Sequence, residues 1–264
     1  MVLEGRTAIV YGAAGAVGGA AARALAGAGA QVFLAGRTAP GLKAVVQDIT
    51  ARGGQAHWHT LDALDADAVE RHAREVAAHA PGIHIAFNAI GVAHVQGVPL
   101  EGLSLDDFAL PVDTYIRSSF TIARAVAPHM VRQRQGVVIS LTTPASRMVG
   151  PGFLGHSVAC AGVEAFSRHL AGELGASGVR SVCIRSHAIP ETLPLGSHAG
   201  PVFATEARRQ GLTVEQMLEG AATGTLLKRL PTLDDLTATL VFLASDGAAA
   251  ISGGVVNMSG LVLD

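Results

Sequence analysis

The chain has 264 residues, 49% of them apolar and 15% charged, with a formal net charge of −2. That apolar content can bury a substantial core, while the charge supplies no electrostatic footprint for nucleic acid or an anionic membrane surface. Cys160 and Cys183 are too few for a disulfide framework, no signal peptide precedes the first apolar run, and the longest apolar region contains Arg23 and several glycines, so a soluble cytoplasmic protein with reduced thiols is expected.

In chain order, β-branched runs alternate with segments of helical spacing. Strands are expected at "TAIVY" (7–11), "QVFLA" (31–35), "AHWHT" (56–60), "IHIAF" (83–87), "VVISLT" (137–142), "SVCIR" (181–185) and "GVVNM" (254–258). Helices are expected at about 16–29, 40–52, 65–79, 104–134, 153–175 and 232–245. This alternation predicts parallel βαβ units, hence an α/β fold with a doubly wound Rossmann-type sheet of about seven strands and helices on both faces. Ser104 with Asp107 forms the pattern of a capping box, Asp234 and Asp235 suit a helix N-terminus, and Pro111 marks a kink or a late helix start. With no linker or repeat, residues 1–264 form one expected domain; the Pro/Gly/His-containing stretch 187–211 interrupts the alternation and is expected to be a lid or binding loop over a ligand site.

After the first strand comes "YGAAGAVGG", with Gly12, Gly15 and Gly18 spaced three apart and Val17 inside the opening helix. Glycines at such a strand-to-helix turn let the backbone approach a pyrophosphate and aim helix N–H groups at it. The same pattern also serves plain close packing of helix on sheet. At the end of the second strand, where an acidic residue would bind the ribose 2′-hydroxyl of NAD, stand Gly36, Arg37 and Thr38. A guanidinium there favours NADP (NADPH), with NAD the weaker fit; a solvated surface arginine is the lesser alternative for Arg37.

Over essentially its whole length the chain resembles the short-chain dehydrogenase/reductase family. The glycine turn is similar to that family's TGxxxGxG, with Tyr11 in place of the threonine and Ala16 in place of the middle glycine. "LDALD" resembles the adenine-contacting motif, which implies Asp62 as partner of the adenine amino group. "NAIG" resembles NNAG and implies a cofactor role for Asn88, Ala89 and Gly91; "IPET" implies that Ile189 and Thr192 meet the nicotinamide carboxamide. The segment 229–260 resembles the closing helix and strand that build a dimer or tetramer interface, so a homo-oligomer, typically a homotetramer, is implied, acting on a small-molecule substrate.

The family's catalytic Ser, Tyr, Lys and Asn are all replaced. In the family's register the serine falls on Thr143, the tyrosine on His156, the lysine on Cys160 and the asparagine on Tyr115; the Pro-Gly after the sixth strand becomes Ser186-His187. Cys160 brings no positive charge to lower a neighbouring pKa or hold a ribose. His156 carries an imidazole whose ordinary pKa of about 6.5 would leave roughly a quarter protonated at neutral pH, enough to act as acid or base. Such a relay suits a conjugated alkene or an iminium better than a plain ketone. Metal binding by His156 and Cys160 with His84, His94 or His187 lacks any supporting spacing, and no metal is expected. A Cys–His nucleophile is disfavoured because the register aims Cys160 at the ribose, and Cys160 as a small packing residue is the plainer reading. His94 and the histidines of the 187–198 loop are substrate-pocket candidates by position only, and a solvated loop histidine is the plainer reading. Two functions fit: an NADP-dependent oxidoreductase with an atypical active site, or a non-redox protein on the same fold, such as a cyclase, an isomerase or an inactive dinucleotide sensor or assembly subunit.

Overall fold

The computed structural model describes residues 1–263. The strands are β1 (Thr7–Tyr11), β2 (Gln31–Gly36), β3 (Ala56–Thr60), β4 (Ile85–Asn88), β5 (Gly136–Thr142), β6 (Val179–Ser186) and β7 (Val255–Met258). The helices are α1 (Ala16–Gly27), α2 (Ala39–Ala51), α3 (Ala66–His79), α4 (Leu105–Gln133), α5 (Leu154–Leu174), α6 (Ala199–Arg209), α7 (Val214–Gly224) and α8 (Leu233–Ala244). All strand pairs are parallel, in the order β3-β2-β1-β4-β5-β6-β7. Strand order reverses at β1, and the crevice outside the carboxyl ends of β1 and β4 is where an open α/β sheet binds ligands.

The period-2 alternation of each strand divides the core into two layers. Ala8 and Val10 of β1, with Val32, Leu34, Ile85, Phe87, Val182 and Ile184, face Leu25 of α1, Leu42 and Val45 of α2, and Leu236 and Leu240 of α8. Ile9, Tyr11 and Ala35 face the other way, against Val69, Ala73 and Val76 of α3 and Ile122, Val126 and Met130 of α4. Where α5 covers β6 the layer turns polar: Ser167 bonds Ser181 at 2.9 Å and Glu164 bonds Arg185. Burial on both faces explains why inner strands such as β1 and β4 read as near-continuous apolar runs.

Local expectations are refined in three places. Helix α4 begins at Leu105 with Pro111 and Pro128 inside it, so Pro111 is not a late start. Ser104 does cap α4, accepting from the Asp107 N–H at 3.1 Å, but the Asp107 carboxylate takes the Ser104 hydroxyl at 2.7 Å instead of its backbone N–H, so only half of the box forms. At α8 both halves form, between Thr232 and Asp235. The stretch 187–211 is not a plain loop: it holds a short 3-10 turn at Pro190–Thr192 and all of α6, and α7 follows it directly. Thr213 and Gln216 start α7 with a complete capping box. Among the described residues no helix is long and apolar enough to cross a membrane.

Candidate active site

The glycine turn joins β1 to α1. Gly12 sits at φ 78°, in the left-handed region, and a Cβ there would lie 2.8 Å from the Ala89 carbonyl oxygen. A Cβ on Gly18 would run into the Gly12 carbonyl. The turn itself therefore requires both glycines. Gly15 is the N-cap of α1 and offers no side chain, the first turn carries no acidic residue, and the N–H groups of Ala16, Val17 and Gly18 have no acceptor among the described residues. Free amides at the positive end of a helix form an anion receptor. Tyr11, in the threonine position, turns away into the α3/α4 layer, and its buried hydroxyl has no partner among the described residues.

Gly36, ending β2, lies beside this turn, since a Cβ on it would be 3.8 Å from the Ala14 nitrogen. Arg37 follows, exposed and with no hydrogen bond or ion pair among the described residues, and Thr38 is the N-cap of α2 with its hydroxyl unused for capping. Asp62 is exposed just past β3 and accepts from the Leu64 N–H at 3.0 Å. Asn88 closes β4: its amide donates to Ser119 at 3.2 Å and its carbonyl accepts from the Ile90 N–H at 3.1 Å, pinning Ala89 and the turn toward Gly91. Ile189 and Thr192 are buried, and the Thr192 hydroxyl donates to the Ile189 carbonyl at 2.7 Å.

The four residues in catalytic register come together. Thr143 follows β5, and on α5 His156 and Cys160 lie one turn apart on the same face. The Thr143 hydroxyl is 3.0 Å from His156 Nε2 and 3.5 Å from Cys160 Sγ, and Cys160 Sγ is 3.7 Å from His156 Nε2. The Tyr115 ring meets the His156 ring edge-on at 6.2 Å. His94 stacks on His156 with centroids 4.2 Å apart and planes 14° from parallel. Since a carbonyl only accepts, His94 Nδ1–H donates to Val92 O at 2.9 Å, which leaves Nε2 to accept from Gln96 at 2.8 Å. His198, the N-cap of α6, lays its ring against Gly91.

This packing corrects the expected charge of His156. Burial, reinforced by His94 and His198, holds its pKa down at about 3, so the imidazole is neutral at pH 7 and is not one-quarter protonated. Burial also raises the Cys160 thiol and, with Cys160 beside it, pushes the Tyr115 phenol well above its usual range, against an opposing backbone hydrogen bond from Val92. The cluster is thus a set of uncharged groups that can pass a proton by hydrogen bonds but carries no fixed cation. Among the described residues no three His, Cys, Asp or Glu side chains are arranged to hold a metal ion.

Beneath the cluster, Glu164 continues the His156–Cys160 face by one more turn. Its carboxylate accepts Arg185 at 2.8 Å on both oxygens, Thr142 at 3.1 Å and Ser146 at 2.5 Å. Glu164 and Arg185 side chains are only 4% and 2% exposed. This pair, missed in the sequence, ties α5 to the ends of β5 and β6 immediately below Thr143.

Residues 12–260 match the protein family described as enoyl-(acyl carrier protein) reductase. The chain is 30% identical to the D-threitol dehydrogenase of Mycolicibacterium smegmatis over 251 residues, 95% of this chain and 90% of that protein. The chain belongs to the short-chain dehydrogenases/reductases. A short chain dehydrogenase of Pseudocercospora fijiensis is also 30% identical over 191 residues, which is 72% of this chain and 62% of that protein. The solved structure of a short-chain type dehydrogenase/reductase from Mycobacterium ulcerans matches with a TM-score of 0.86 at 25% identity, covering 98% of this chain and 90% of that one. As a short-chain dehydrogenase/reductase the chain is of oxidoreductase type, and its relatives imply a nicotinamide dinucleotide, NAD or NADP. The free amides of α1 and the unpartnered Arg37 fit the phosphate-bearing half of such a cofactor. Cys160 is a free, buried thiol.

Proposed function

We propose that this short-chain dehydrogenase/reductase is an NADP-dependent reductase whose proton relay runs through neutral groups, suited to an enone or an imine more than to a simple ketone. In this reading the amides of Ala16, Val17 and Gly18, with Gly12 and Gly15, receive the pyrophosphate, and Arg37 with Thr38 grips the 2′-phosphate. Asp62 takes the adenine amino group, Asn88, Ala89 and Gly91 line the groove, and Ile189 and Thr192 meet the carboxamide. The cofactor supplies a hydride when bound.

The observation that carries the reading is the 3.0 Å contact between Thr143 and a buried, neutral His156. A hydroxyl and an imidazole in that contact can orient a substrate acceptor and pass it a proton, with Tyr115 as a further donor. Cys160, uncharged, acts by holding the Thr143 hydroxyl and by packing. Reduction of a ketone builds an alkoxide that needs a stronger acid than these groups supply, whereas an iminium carries its own charge and an enone spreads the developing one.

We further propose that the segment 187–211 covers the substrate, that the protein works in the cytoplasm with both cysteines as free thiols, and that it forms a dimer or tetramer. Exposed apolar side chains support the assembly: Phe120 on α4, Leu154 and Val158 on α5, and Phe242 on α8. A non-redox role on the same fold is favoured by one arrangement, His198 seated on Gly91 with no cation at position 160.

The test is turnover with NADPH against ketone, enone and iminium panels, for wild type and His156→Phe. Enone or iminium turnover falling at least tenfold in the variant is expected. Faster turnover of ketones by the wild type, or an unaffected variant, overturns the reading.

A further inference from the structure

The imidazoles of His94, His156 and His198 come from three separate segments: the loop after β4, helix α5 and the N-cap of α6. They are near neighbours. His94 and His156 stack at 4.2 Å, and His198, whose ring lies against Gly91, is close enough to oppose the protonation of His156. The other groups facing them, Thr143, Tyr115 and Cys160, are uncharged at neutral pH. The carboxylates on the surrounding elements are engaged elsewhere: Glu164 with Arg185, Glu206 with Arg209 and Gln210, and Glu191 with the Leu233 N–H.

Three ring nitrogens in this trio, both of His198 and Nδ1 of His156, remain without a hydrogen-bonding partner of ordinary strength among the described residues. His198 makes no hydrogen bond among the described residues and is exposed on one side. His156 Nδ1 has only the Cys160 sulfur, at 3.9 Å. His94, by contrast, uses both nitrogens on Val92 and Gln96 and serves as a fixed stacking surface.

We propose that this trio is an oxyanion subsite for a carboxylate or phosphate carried by the substrate, and that the anion is bound together with one proton taken from solvent. The proposal rests on reading the pocket as the substrate site.

The physical reason is mutual. Three imidazoles without a counter-ion, His156 buried, His94 half-buried and His198 exposed on one side, crowd one another, and burial with His94 and His198 beside it holds the pKa of His156 down. An anion placed among them reverses the balance, because it favours the charged form of whichever imidazole it touches. The proton leaves bulk solvent and joins a ring nitrogen, and no bond of the anion is broken. The site thereby gains, only when substrate is present, the imidazolium donor beside Thr143 that the empty cluster lacks. An anionic substrate would thus supply the charge absent from position 160.

The experiment is calorimetric titration of the cofactor-free full chain at pH 6 with cinnamate, cinnamamide and phenyl phosphate, each in two buffers of different ionisation enthalpy. At least tenfold tighter binding of cinnamate or phenyl phosphate than of cinnamamide is expected, with uptake of about one proton per cinnamate. Which oxyanion binds tighter identifies the head group. His198→Gln should weaken the anion at least fivefold and leave cinnamamide unchanged, with the fold checked by circular dichroism. Equal binding of the amide, or cinnamate binding without proton uptake, overturns the proposal. A parallel NADPH titration separates the two readings, because loss of cofactor binding would refute the reductase and leave the anion result standing.

Discussion

Arg185→Met perturbs the buried pair below the active site and leaves Glu164 with only the half-exposed Arg147, 3.7 Å away, as a cation. The wild-type contact is bidentate at 2.8 Å on each oxygen, with side chains 2% and 4% exposed. Removing one partner of such a pair costs about 3–5 kcal/mol. At roughly 2–4 °C per kcal/mol for a domain of this size, the melting temperature should drop by about 6–20 °C. Replacing both residues, Glu164→Leu with Arg185→Met, should recover about 1–3 kcal/mol of that loss, because an apolar pair of similar volume is often neutral. The residual cost is about 1 kcal/mol for each of the Thr142 and Ser146 hydroxyls left without an acceptor. The wild-type pair also has a pH signature. Burial alone would raise the Glu164 pKa, but Arg185 with Ser146 and Thr142 lowers it below its ordinary 4.5. Its stabilisation is therefore fully present above that value and lost as pH falls through the depressed one. Thermal melts of the three proteins at pH 7 and wild-type melts down to pH 3 check this. A single variant that loses less than about 1 kcal/mol, or a double variant worse than the single, refutes the reasoning.

Three further outcomes follow from the geometry. Gly12→Ala places a side chain at φ 78° and 2.8 Å from the Ala89 oxygen, so it should destabilise by about 1–3 kcal/mol, whereas Gly15→Ala meets only the Gly12 oxygen at 3.3 Å and should melt close to wild type. Arg37→Ala should weaken NADPH by roughly ten- to a hundredfold through loss of a charge-assisted contact, with NADH affinity unchanged; equal losses for both cofactors would place Arg37 outside the 2′-phosphate site. His72 and His156, held at about 4 and about 3 by burial, bind fewer protons folded than unfolded. Stability should accordingly fall as pH drops below about 6.5, by about 1.4 kcal/mol per pH unit for each, and His156→Phe should remove one such contribution; an unchanged slope between pH 6 and 4 contradicts the buried neutral state.

The fold was legible because its signals are local. Runs such as "TAIVY" and "SVCIR" are buried on both faces, and glycines at 12 and 18 mark a turn that must approach backbone closely. The missed helix α7 had a readable start in Thr213 and Gln216, hidden by the Pro- and Gly-containing residues before it. The family register located Thr143, His156, Cys160 and Tyr115 together, but their state was not legible. The charge of His156 depends on His94 and His198, which lie 62 positions before it and 42 after it and meet it only through the fold. Glu164 and Arg185 are 21 residues apart, on a helix and a strand, and no pattern in the sequence pairs them.

Titration of the purified full-length chain with NADPH and with NADH, followed by nicotinamide fluorescence, tests the central claim most directly. The account predicts saturable NADPH binding at least tenfold tighter than NADH. No binding at millimolar cofactor, or a preference for NADH, contradicts it.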